Sequence, residues 1–163
     1  NREIIAINDA NLFEMVGNIK VEIESISDND CFWVAEATHN GYKNLINGSQ
    51  YHNRKIKYCK TKKEINIIDR LSGKGAHNAR INFHIPKKNW KLTKKNLTLF
   101  FTSEDEIFTI SNDVGEFVIS QGFISNGFLQ RESSYQIYID KKYNNIQKFV
   151  TTIKFLKNNG ITI

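Results

Sequence analysis

The segments Arg54-Lys55-Ile56-Lys57-Tyr58, Glu64-Ile65-Asn66-Ile67 and Ala79-Arg80-Ile81-Asn82-Phe83-His84-Ile85 decide the fold. Polar and apolar residues alternate in each of them. Successive side chains of an extended chain point to opposite faces, so a period of two gives one apolar and one polar face. The same alternation recurs in Lys20 to Glu24, Glu106 to Ile110 and Tyr135 to Ile139. Val, Ile, Thr, Phe and Tyr dominate these segments, as strands prefer. Breaks fall at Ser27-Asp28-Asn29-Asp30, Asn47-Gly48-Ser49, Asn112-Asp113-Val114-Gly115 and Asn126-Gly127. All carry turn chemistry, and Asn112 to Gly115 reads as a hairpin turn. Counting the segments predicts about ten strands of ordinary length. No helical periodicity is sustained, although Asn11 to Val16 fits one short helical turn. Strands without intervening helices pair antiparallel, because parallel neighbours need long crossovers. The expectation is an all-β fold, an antiparallel two-sheet β-sandwich forming a single domain over residues 1–163. Pro86 should end a strand, where its missing N–H breaks no ladder.

A chain of 163 residues with 40% hydrophobic and 25% charged content can build one domain with a real core. Its start at Asn1-Arg2-Glu3, without Met and unlike a signal peptide, reads as an excised or processed piece. The compartment, periplasmic or cytoplasmic, is not legible. A net charge of +6 favours anionic partners. Much of the lysine falls in turns: Lys60, Lys62, Lys63, Lys87, Lys88, Lys94, Lys95, Lys141 and Lys142. Such lysines are either ordinary solvation and edge protection or part of a polyanion groove. The interleaved aromatic and basic motifs of single-strand nucleic-acid binders are missing, and no apolar run is long enough to cross a membrane. Neither nucleic acid nor membrane is therefore an expected partner.

Cys31 and Cys59 read as two buried thiols, with a disulfide as the alternative. The four histidines lack metal-ligand spacing, so no self-contained zinc site is expected. Several polar residues need a reason that alternation does not supply. His39 and Tyr42 flank Gly41 at the end of a strand, where they either contact sugar hydroxyls, a carboxylate or a proton in transit, or simply close the turn. His52 and Arg54 share one strand face. Arg54 either grips a uronate or sulfate with two prongs, or pairs with Asp69 on a neighbouring strand while His52 caps a carbonyl. Ser72-Gly73-Lys74-Gly75 lacks the residues of a phosphate loop and reads as a tight turn pinned by Asp69. His77 and His84 read as capping or pairing within the sheet, and Trp33 and Trp90 as core or edge packing. No complete active site can be assembled from these residues.

The ordered set His39-x-Gly41-Tyr42, His52-x-Arg54, Ile67-Ile68-Asp69 before a glycine-rich turn, and Phe83-His84-Ile85-Pro86 resembles a known family. It is similar to the C-terminal β-sandwich domain of heparinase II/III-like proteins, polysaccharide lyases and relatives, many from bacterial surface-polysaccharide gene clusters. The resemblance covers most of the chain and is clearest from Cys31 to Trp90. It implies a parent chain with an N-terminal α/α toroid and this β domain closing the cleft. It further implies β-elimination beside a uronic acid: one group neutralises the carboxylate, a base takes the C5 proton, and a tyrosine or histidine serves as acid. Acidic, uronate-containing polysaccharide and the toroid are the implied partners. The family's His-x-His-x-Asp segment and His-Asn pair precede the His-x-Gly-Tyr motif, which would place the catalytic histidine and zinc ligands upstream of Asn1. No catalytic or metal residue is carried onto this chain, and no cofactor is expected in it. His39, Tyr42, His52 and Arg54 match family positions and are the substrate-binding candidates. The expected function is the inactive β portion of a lyase, with a non-catalytic or structural module recognising acidic glycan as the alternative.

Overall fold

A computed structural model describes residues 6–8, 11–16, 19–42, 51–87 and 90–157. Eleven strands follow in chain order: β1 (Ala6–Asn8), β2 (Asn11–Val16), β3 (Val21–Asp28), β4 (Phe32–His39), β5 (Tyr51–Cys59), β6 (Glu64–Pro86), β7 (Lys91–Lys95), β8 (Thr98–Thr102), β9 (Glu106–Asn112), β10 (Val118–Ile124) and β11 (Glu132–Lys157). The described residues form no helix, and every strand pairing is antiparallel. Strands β1 and β2 make a small sheet of their own; the other nine form one continuous sheet in the order β3-β4-β5-β6-β11-β9-β8-β7, with β10 also paired to β11. Asn11–Val16 is thus a strand, and the helical turn expected there is corrected. A six-residue segment is too short to hold a helix of its own, and this one pairs with Ala6–Asn8.

Two separate sheets were expected; the structure builds both layers from one. The reason is the length of β6 and β11, 23 and 26 residues. Their first and last halves pair with different neighbours. Glu64–Ser72 of β6 carries β5, and residues 151–157 of β11 carry β9, while residues 132–138 of β11 carry β10. Between the halves the ladder is irregular: Asn144 lies opposite Ala76 and Ile146 opposite Ser72. Gly75 takes φ +88°, Asn145 takes φ +60°, and the Gly75 N–H donates to Asn145 Oδ1 at 3.0 Å. Extra residues on one strand bend and twist it. Left-handed backbone there suits glycine and asparagine. Ser72–Gly75 is therefore not a tight turn but the kink of a ribbon that continues through it.

The core lies where the layers meet. Leu99 and Phe101 of β8 and Ile110 of β9 pack against Ile137 and Ile139 of β11, with Phe117 beside them. Phe83, Ile85, Trp90 and Phe108 close its rim. Phe101 stacks on Phe108 at 4.3 Å between ring centres, and Trp90 meets Phe108 edge-on at 4.9 Å. Trp90 is packing, as expected. The Asn112 turn is real, its Oδ1 accepting from the Val114 and Gly115 N–H groups at 2.9 Å. It does not close a hairpin: β9 and β10 both pair with β11, at opposite halves, so this turn crosses between layers. Cys59 is buried and Cys31 exposed, and both are free thiols, which corrects half of the two-buried-thiol reading. On edge strand β3, Val21, Ile23 and Ile26 remain exposed. Phe101 is fully buried. Replacing it with Ala should destabilise the protein by about 3–5 kcal/mol, read as a lower denaturant midpoint with unchanged slope.

Candidate functional site

Strands β4, β5 and β6 lie side by side, and their register brings one set of side chains to one face. His39 stands opposite His52, and Arg54 stands opposite both Ala37 and Asp69. Residues two apart on a strand share a face, so His39, His52, Arg54 and Asp69 converge. Asp69 is the hub. It is 3% exposed, and a buried carboxylate must find donors. Arg54 supplies two, Nε to Oδ1 at 2.7 Å and Nη2 to Oδ2 at 3.1 Å, and His52 Nε2 lies 2.6 Å from Oδ1. Burial, the largest influence on the Asp69 carboxyl, pushes its pKa up; the bonds from His52 and Arg54 outweigh it and leave the group below its ordinary value.

The hydrogen bonds fix the tautomers. The Gly41 N–H donates to His39 Nδ1 at 3.1 Å, so that nitrogen carries no proton. The proton of neutral His39 then sits on Nε2 and donates to His52 Nδ1 at 2.9 Å. His52 in turn keeps its proton on Nε2, facing Asp69. The result is a one-way chain, Gly41 to His39 to His52 to Asp69, with Arg54 behind the carboxylate. Adding a proton at His39 Nδ1 would oppose the Gly41 N–H, and adding one at His52 Nδ1 would oppose His39. Burial, then the fields of His52 and Arg54, hold the His39 pKa below the ordinary histidine value.

Tyr42 follows Gly41 and leans over this chain, its ring 5.2 Å from that of His39 and 6.4 Å from that of His52. All four substrate-binding candidates thus lie together. Arg54 differs from expectation in one respect: its Nε and Nη2 edge already holds Asp69, as the alternative reading had it, while the side chain stays partly exposed. Asp69 had been read as a turn anchor and as an alternative partner of Arg54, not as the hub of the cluster. Its signal was present, an acidic residue directly after Ile67-Ile68 and opposite Arg54. A further member was missed. Tyr143 of β11 is buried with its pKa raised, first by burial and then by the field of Tyr42. His77 lies 5.2 Å from the Tyr143 ring, and Trp33 is half-buried on β4. Among the described residues no group of three or more His, Cys, Asp or Glu could hold a metal ion. Both His52 nitrogens are already engaged. The zinc ligands implied upstream of Asn1 fall on no described residue.

The fold and cluster define a two-layered antiparallel β domain with a buried carboxylate–histidine–arginine network at one sheet end. The family described as Heparinase II/III-like, C-terminal matches residues 7–155. The chain belongs to that family. Among solved structures it is similar to the "Heparinase III-BT4657 gene product", with TM-score 0.73 and 15% identity over 96% of this chain and 24% of that one. The same product with methylated lysines gives TM-score 0.73 and 15% identity over 86% of this chain and 22% of that one. The chain thus spans about a quarter of the length of the structures it resembles. No curated protein matches the chain.

Two pH effects follow with a definite sign. A carboxyl whose folded pKa is depressed stabilises the fold above its unfolded value, ~3.9, and that contribution fades as pH falls through the folded value. A histidine depressed in the fold acts in the same sense below ~6.5, because the unfolded chain then binds the extra proton. Stability should therefore fall on acidification through the histidine range and again through the carboxylate range. Asp69→Asn should cost about 1–3 kcal/mol at neutral pH and shrink the acidic step, to which Glu36, Glu64 and Asp140 also contribute, read by denaturant titration across pH.

Proposed function

We propose that this domain is the β-rich portion of a polysaccharide lyase-like protein and walls one side of its cleft for acidic, uronate-containing polysaccharide. The observation that carries the reading is the His39–His52–Asp69 chain with Tyr42 across it, set in a domain of the heparinase II/III-like family. In β-elimination the carboxylate beside the labile proton must be neutralised, a base must take that proton, and an acid must protonate the leaving oxygen. Tyr42 has a hydroxyl suited to a sugar oxygen. The histidine chain holds two imidazoles oriented by Asp69, and the partly exposed Arg54 guanidinium offers positive charge to a carboxylate. These groups bind and orient; the remaining machinery would come from an N-terminal α/α toroid of the same parent, against which the domain would dock. Zinc, where the parent holds it, would be bound by residues upstream of Asn1, and no step is assigned to it. The 163-residue chain alone would not turn over, and it would act as a single domain.

The test is the ultraviolet absorbance of the unsaturated product. Purified chain incubated with uronate-containing polysaccharide should show no increase, and turnover would overturn the assignment of the remaining machinery elsewhere. Addition of the parent's preceding domain should restore it. In that complex Tyr42→Phe should raise KM about tenfold with kcat little changed, as for loss of one hydrogen bond that binds the substrate.

A further inference from the structure

The kink of the β6–β11 ribbon opens a cleft of about 540 Å³, lined by Ala76, His77, Asn78, Lys142, Tyr143 and Asn144. The register sets Lys142 opposite Asn78, Tyr143 opposite His77 and Asn144 opposite Ala76. On a flat ribbon these pairs would alternate between faces; here the irregular ladder at Gly75 and Asn145 twists the ribbon so that both sets line one opening. Three of the polar residues lining it are not spent on the protein itself. Lys142, Asn78 and Asn144 are exposed, and their side chains have no hydrogen-bond or ion-pair partner among the described residues. By contrast Lys55, Lys60, Lys94, Lys154, Arg54, Arg70 and Arg80 all pair with carboxylates.

We infer that this cleft is a second carbohydrate subsite, which takes an acidic sugar next to the one held at the Tyr42 cluster. The inference rests on the proposed function for its ligand class. Its position is its own: the register sets His52 of the cluster opposite Leu71 of β6, next to the kink that begins at Ser72, so the cleft walled by Tyr143 opens at the same end of the sheet as the Tyr42 cluster. The chemistry matches. Two side-chain amides donate to and accept from hydroxyls, the Lys142 ammonium meets a carboxylate or sulfate, and the apolar edges of Tyr143 and Ala76 take the C–H face of a pyranose. An uncharged or purely apolar ligand would leave the ammonium without a partner.

The test is affinity of the chain for a uronate-containing oligosaccharide long enough to span both sites, by calorimetry at low and moderate salt. Lys142→Ala and Asn78→Ala remove exposed side chains and should leave thermal stability unchanged while weakening binding about tenfold or less for the amide. Lys91→Ala, on edge strand β7, is the control for bulk charge and should leave affinity unchanged. Wild-type binding that Lys142→Ala does not weaken overturns the subsite and leaves the proposed function standing. Equal weakening by Lys91→Ala also overturns it, because attraction would then be diffuse. Absence of any binding by the wild-type chain overturns the ligand class, and the subsite with it.

Discussion

The pairing of β6 with β11 is the constraint on which the rest depends. Its ladder runs from Ser134 opposite Pro86 to Lys154 opposite Glu64 and is broken once, at the kink. A straight ribbon of this length could not close on itself, because a single sheet face would stay open to water. One bend lets the same two strands supply a wall to each layer. The cost is local: a glycine and an asparagine in left-handed backbone, tied together by one hydrogen bond. The gain is the closed core around Phe101, Ile110 and Ile137, whose side chains are removed almost wholly from water. The kink therefore makes the sandwich, and the cleft is what the kink leaves behind.

The polar cluster is a second consequence of register. Once Arg54 stands opposite Asp69, the carboxylate can be buried without its full desolvation cost, since two charge-assisted bonds replace water. His52 completes the shell and passes the constraint outward to His39 and Gly41. Each step fixes the next donor, so the orientation at the solvent-facing end is set by a charge three residues away along the chain of bonds. The exposed pairs elsewhere differ in kind. Arg80 and Asp140, each half exposed, form a two-pronged pair that water and salt largely screen.

What the sequence made legible follows from this hierarchy. Strand identity was readable because alternation is local, and Pro86 does end β6. The family was readable because its polar and glycine residues have no local explanation. The kink was misread as a turn because Ser72–Gly75 has turn composition, and only the partner strand, with Asn145 some 70 residues on, shows that pairing resumes. The same holds for Asn112 to Gly115: its local geometry is a turn, but whether a turn joins paired strands is a long-range fact. Tyr143 was invisible as a further member for that reason. Arg54 with Asp69 was foreseeable as an alternative because both sit at matching parity on adjacent strands. Which alternative wins is decided by burial, which parity does not encode.

The positive charge can now be sorted by the same criterion. Read as composition, +6 favours plain solvation and leaves polyanion binding as the alternative. Read in place, part of the basic charge is answered by a nearby carboxylate: Lys55 and Arg70 by Glu36, Lys60 by Asp28, Lys94 by Glu116, Lys154 by Glu64. Paired cations project little field beyond a Debye length, so they contribute little to attraction of a distant anion. An unpaired ammonium beside unpaired amides, in a concave site, is the arrangement in which charge still has something to recognise. Lysine number is thus a weak guide to polyanion binding in this fold, and the placement of Lys142 at the kink is a strong one.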